Sequence, residues 1–161
     1  MRIINITLAC ILLSGCATKN DFVKNAEFNY RIPVAIVNHG TFSPNSAGGT
    51  DFQVKFYNTS NKVIKYADFE VEAYNRVGDK VPDRVSGKYV KSLRDTGPHY
   101  PGQPNFSPLK SARWANVWYS YNISCGSVKS INLTFMDGEV KYFNTNDIDY
   151  MIQNNGCRKA Y

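Results

Sequence analysis

The chain has 161 residues, 43% hydrophobic and 20% charged, with 19 Lys and Arg against 13 Asp and Glu for a net charge of +6. That composition excludes a disordered chain, and the length is one domain's worth, enough to bury its own core. No period of 20–50 residues recurs, which excludes a solenoid or a propeller.

The chain opens with one cation, Arg2, and an apolar run from Ile3 to Leu13 interrupted only by Asn5 and Thr7. The run falls short of the about 20 apolar residues that span a bilayer, and it ends in small residues, the layout of a secretory signal. Its end, Leu13-Ser14-Gly15-Cys16, resembles the lipobox of bacterial lipoproteins. The resemblance implies cleavage after Gly15, a diacylglycerol on the sulfur of Cys16 and acylation of the new amino group. Ala17 in place of Asp implies sorting to the outer membrane, facing the periplasm, in a Gram-negative envelope. Each buried methylene contributes about 0.8 kcal/mol, so two or three chains on one residue make a durable anchor. Residues 17–29 are polar without clear periodicity and read as a tether of 13 residues, at most about 40 Å long. The expected organisation is therefore a signal peptide at 1–15, a lipidated tether at 16–29 and a folded domain at 30–161.

From residue 30 on, the hydrophobic period is two, the mark of strands with one buried face. Ile32, Val34 and Ile36 alternate in the first strand, 30–38, and Phe52, Val54 and Phe56 in the second. The third, 62–74, sets Phe69, Val71 and Ala73 against Asp68, Glu70 and Glu72. A fourth strand is predicted over 85–93, weakened by Pro82, followed by a proline-rich connection over 95–108. Residues 114–124 are aromatic and read as a central strand, with Trp114 and Trp118 on one face. Strands at 128–135 and 139–144 form a hairpin across Asp137-Gly138. Thr145 or Asn146 is placed to cap a short helix carrying Ile148 and Ile152. Seven such strands predict an all-β, antiparallel, immunoglobulin-like β-sandwich with a short C-terminal helix. Antiparallel succession puts the tether, the 58–61 turn, the proline-rich loop and the Asp137-Gly138 turn at one end. The 39–50 loop, the turns at 75–79 and 124–127 and the C-terminal tail share the other, membrane-distal end.

Cys10 leaves with the signal and Cys16 carries lipid, so Cys125 and Cys157 remain in an oxidising compartment. A disulfide between them is expected, closing 31 intervening residues. On the loop-entropy relation such a bridge contributes about 3–4 kcal/mol.

Several short stretches resemble a domain found in many uncharacterised exported bacterial proteins and lipoproteins. They are Phe56-Tyr57-Asn58-Thr59-Ser60, Lys65-Tyr66-Ala67-Asp68-Phe69, Tyr74-Asn75-Arg76-Val77-Gly78-Asp79, Thr96-Gly97-Pro98, Pro101-Gly102, Trp114-Ala115-Asn116-Val117-Trp118-Tyr119 and Ile123-Ser124-Cys125. The resemblance spans about half the chain and implies a sandwich of fibronectin or immunoglobulin type, without assigning chemistry.

Catalytic signals are thin. His39 and His99 are the two histidines, each expected in a loop and at opposite ends. No His-x-His, Cys-x-x-Cys or His-Glu-x-x-His spacing occurs, nor a Gly-x-Ser-x-Gly elbow. Asp137 and Glu139 flank a hairpin tip, where water leaves carboxylates untuned. Eleven tyrosines, among them Tyr57, Tyr66, Tyr74, Tyr119 and Tyr121, offer material for an exposed platform. Ser86-Gly87-Lys88-Tyr89 is similar to a short motif of periplasmic lysozyme inhibitors, which implies an inhibitor as the alternative, beside an unrecognised envelope enzyme. The sequence thus predicts a membrane-anchored, non-catalytic binding or envelope-structural module that uses no cofactor and no metal. Its expected partners are the membrane, through the anchor, and a protein or glycan of the envelope. Export excludes nucleic acid. The 39–50 and 95–108 loops are the expected contact surfaces, since rigid sandwiches present function on loops.

Overall fold

The structure, a computed structural model, describes residues 20–28, 32–107, 110, 112–154 and 157. Cys16, the signal 1–15 and the first tether residues lie outside the described residues. Helix α1 (Asp21–Phe28) precedes seven strands: β1 (Val34–Thr41), β2 (Gly49–Asn58), β3 (Ile64–Tyr74), β4 (Val90–His99), β5 (Arg113–Tyr119), β6 (Cys125–Phe135) and β7 (Val140–Phe143). Helix α2 (Thr145–Met151) follows. The strands form two sheets, β1-β2-β5 and β4-β3-β6-β7, with every pair antiparallel. This is the expected sandwich. Its fourth strand pairs with the third, whereas in an immunoglobulin constant domain it joins the opposite sheet.

Period-two alternation builds the core. Phe52, Val54 and Phe56 of β2 point inward and are fully buried, while Gln53, Lys55 and Tyr57 face out. They meet Phe69 and Val71 of β3 and Ile131 and Leu133 of β6. Each large side chain removed from water contributes roughly 1.5–3 kcal/mol. Phe52 packs edge-on against Trp118 at 5.7 Å, and Phe56 tilts against Phe69 at 5.8 Å. Where the two sheets come closest, Gly126 is required: a Cβ there would stand 2.7 Å from the Phe52 ring and 2.8 Å from Thr41.

Four expectations need correction. First, the tether contains α1, whose Val23 and Ala26 are buried against Ala35 on the outer face of β1. Asn20 caps this helix through its side chain (3.0 Å to the Val23 amide) and donates to Gln153 Oε1 at 2.9 Å. Asn20 is thereby held beside β1, so residues 20–28 lie on the body and do not form a free tether. Second, β4 begins at Val90 and ends at His99, so it takes in the start of the predicted proline-rich loop. The rest of that loop lies along β2. Asn105 is buried, and its amide donates to Val54 O at 2.9 Å and accepts from the Phe56 amide at 2.8 Å, as a strand neighbour would. Third, the aromatic strand β5 is an edge strand, hydrogen-bonded to β2 alone. Its Trp118 is fully buried because the face, not the edge, meets the opposite sheet. Asn116, at φ 53°, breaks the alternation, so that Val117 and Trp118 are both buried. Fourth, α2 is capped by Asn144 in a reciprocal box with Asp147, one residue before Thr145 and two before Asn146, the predicted caps.

Asp83, 3% exposed at its side chain, secures the 82–91 segment. It accepts from Lys91 Nζ (2.7 Å), Ser86 Oγ (2.6 Å) and the amides of Tyr119 and Ser86. Burial opposes ionisation, but these donors outweigh it and hold the carboxyl below its ordinary range.

Candidate functional site

Three connections remote in sequence meet at one end of the sandwich: the β1–β2 loop, the β3–β4 turn and the β5–β6 loop. They enclose an open cleft of about 610 Å³ that includes Phe42, Pro44, Arg76, Val77, Tyr121 and Ile123 among its lining residues. The convergence is what antiparallel succession predicts.

The walls are braced both within and between the loops. In the β1–β2 loop, Asn45 Oδ1 accepts from the amides of Ala47 and Gly49, both at 2.9 Å, and Asn45 Nδ2 reaches Asn116 Oδ1 at 3.0 Å. Gly48 sits at φ 81°, which favours glycine, and a Cβ there would press on the Tyr121 ring at 3.3 Å. The Tyr121 hydroxyl donates to Ser46 O at 2.6 Å while 58% of the residue stays exposed. The ring is thus a fixed aromatic wall. In the β3–β4 turn, Asn75 Oδ1 accepts from the amides of Val77 and Asp79. That leaves Arg76 and Val77 projecting. Arg76 has no ion-pair partner among the described residues. Ile123, 7% exposed, supplies an apolar floor. Among the described residues, Arg76 and Tyr121 are the titratable side chains of the lining, giving a cation and an oriented ring. The arrangement can grip a carboxylate or a phosphate beside a flat or apolar group.

A second concavity, about 480 Å³, contains a denser charge cluster. Glu72, predicted on an exposed face, is 5% exposed. It contacts Lys80 at 3.0 Å, the Tyr74 hydroxyl at 2.9 Å and Lys129 at 3.4 Å. Burial works to raise its pKa, but Lys80, Tyr74 and Lys129 prevail and hold the carboxylate ionised. A base pinned below its ordinary range by two lysines is a poor proton acceptor near neutrality. The cluster ties β3 to β6 and to the segment that follows β3. Among the described residues, no group of three His, Cys, Asp or Glu side chains is placed to hold a metal.

Both histidines lie in strands rather than loops. His39 is in β1 against Phe52 (6.4 Å), and His99 ends β4 against Phe56 (5.2 Å). Phe52 and Phe56 are four residues apart, about 13 Å along β2, so the two imidazoles do not meet. The tyrosines do not form one platform. Tyr57 lies on the outer face of the three-stranded sheet against Phe106, Tyr66 sits beneath Arg94, Tyr74 bonds Glu72, and only Tyr119 and Tyr121 stand together near the cleft. Asp137 and Glu139 both bind Lys62, at 2.5 and 2.7 Å, and so fasten the hairpin tip.

Cys125 and Cys157 are joined, with Cα atoms 5.6 Å apart, and the bridge ties the tail to the start of β6. Arg76 was visible in the sequence only as a turn residue. No local signal shows that its turn opens onto Tyr121, since that depends on which loops the topology gathers. No family model, curated protein or solved structure matches this chain.

Proposed function

We propose that the protein is a lipid-anchored binding module of the bacterial cell envelope, outer membrane included, that uses the three-loop cleft to hold an envelope protein or glycan. It carries out no chemistry of its own. The lipobox resemblance at Leu13-Ser14-Gly15-Cys16 supports the anchor. The observation that carries the binding role is the pairing of Arg76, without an ion-pair partner among the described residues, with a Tyr121 ring locked to Ser46. A ring held in this way loses little entropy on binding, and the arginine supplies charge.

A photoreactive residue at Val77 tests the reading in intact cells. One dominant adduct is expected, lost in Arg76→Glu and in Tyr121→Ala. Adducts that are unchanged in both variants, or that form equally from position 142 on the outer face of the four-stranded sheet, would remove the cleft as the site. Cys16→Ser is expected to release the protein from membrane fractions, and retention with an unmodified mass would refute the anchor.

One observation favours the inhibitor alternative. The 84–89 turn is exposed throughout, and Asp83 braces it from beneath through Ser86 and Lys91. A stiff projecting turn carrying Arg84 and Lys88 suits an acidic cleft, not a basic lysozyme.

A further inference from the structure

We propose that the outer face of the three-stranded sheet, with α1 upon it, is the surface that lies on the bilayer, and that Lys55 and Lys110 meet the phosphates of its anionic lipids. The inference rests on the anchor at Cys16 and adds the orientation of the body.

The first observation is where the chain leaves. Asn20 is held by Gln153 at 2.9 Å, and Gln153 in turn donates its amide to Ile36 O of β1 at 3.0 Å. Four residue steps separate Asn20 from Cys16, so acyl chains on that sulfur enter the bilayer within about 14 Å of Asn20, on the side of the body where α1 lies. A free tether would have allowed any pose; a docked α1 does not. Phe28, at the end of α1, is 85% exposed.

The second observation is the chemistry of the same face. Beside α1, Tyr57 packs against the helix cluster on one side and meets Phe106 at 5.6 Å on the other. Beyond it along β2 runs a groove of about 240 Å³ that includes Phe42, Gln53, Lys55, Phe106, Lys110 and Arg113 among its lining residues. Arg113 stacks 3.9 Å over Phe42 and is paired with Asp51. Lys55 lies over Phe106 at 5.6 Å. Neither Lys55 nor Lys110 has a carboxylate partner among the described residues, and the groove lining holds no acid. Cations beside aromatic rings on a flat sheet face match a headgroup layer, where rings settle at the interface and lysines meet phosphate. The opposite sheet also sets Lys65 and Arg94 over Tyr66, but there acids stand among the cations. Its outer face is laced with paired charges, Arg94 with Asp68 and Lys80 and Lys129 with Glu72. Lying on this face, the body would open its cleft along the membrane plane.

Full-length acylated protein in phosphatidylethanolamine–phosphatidylglycerol vesicles tests the orientation. A bimane label is placed at Gln53→Cys or, on the opposite sheet, at Tyr142→Cys, and is quenched by a nitroxide-bearing lipid. Quenching at position 53 is expected to exceed that at 142 several-fold, and Lys55→Glu with Lys110→Glu should erase the difference at an unchanged unfolding midpoint. Equal quenching, or stronger quenching at 142, in protein still bound to vesicles overturns the face while leaving the anchor intact. Protein that carries no lipid mass and fails to float with vesicles overturns the anchor, and the proposed face with it.

Discussion

His39 shows how one side chain sets a pH limit on the whole fold. Both of its ring nitrogens are buried without a hydrogen-bond partner, and burial lowers its pKa from 6.5 to about 4. His99 is lowered as well, by burial, against the opposing pull of Asp95, whose Oδ2 stands 3.6 Å from its Nε2. Both rings are neutral in the native state, and the unfolded chain takes up their protons first. The His39 contribution is therefore complete above pH 6.5 and is lost as pH falls from there toward 4, and the His99 contribution has the same sign. Discounted for partial exposure, the His39 share is about 2 kcal/mol. The urea midpoint is expected to hold steady above pH 6.5 and to drop across that window, with His39→Leu flattening the drop. An equally steep decline in that variant would mean that His39 is not the buried base described here. Asp83 acts in a lower range, because its depressed pKa keeps its stabilisation until pH falls below the ordinary carboxylate value.

At the scale of elements, the strands legible in the sequence are those with one clean apolar face. β2, β3 and β6 alternate over ten or eleven residues, and the sheet uses that alternation directly. β4 buries little besides Leu93 and His99, so its limits come from pairing with β3, which no local pattern encodes. The proline-rich segment looked like a free loop because nothing nearby marks Asn105 as a surrogate strand partner. The rings of β5 pointed to the centre of a sheet, whereas they fill the space between sheets from an edge. Helix α1 was illegible for a different reason. An isolated eight-residue helix is marginal in water, and this one exists because Val23 and Ala26 find Ala35, Val37 and Tyr57. Val23→Asp should undock it, at a cost of about 1–3 kcal/mol. Hydrogen exchange should then show protection lost over residues 21–28 and kept in β2 and β6. Loss of protection in the strands as well would make α1 part of the core and not an appendage. The cleft's residues were all visible, but their convergence depends on three loops that only the sandwich topology brings together.

At the scale of the molecule, the Cys125–Cys157 bridge fastens α2 and the tail to β6 across a separation of 32 residues. Replacing both cysteines by alanine is expected to lower stability by about 3–4 kcal/mol, read from denaturant unfolding of the Cys16→Ser protein. An unchanged midpoint would mean that contacts alone already hold the tail. The flanks of the two sheets are closed by loops. Gln153 bonds Ile36 on β1, the Asp83 carboxylate and the Arg84 amide take both main-chain groups of Tyr119 on β5, and the Trp114 indole reaches Arg94 O on β4. Only β7, four residues long and bearing Lys141, has no such stopper among the described residues. Open strand flanks template the addition of further chains. Damage to Asp83 would therefore expose β5 while the interior is still packed, so its earliest symptom in a crowded envelope is clumping of folded copies rather than their melting.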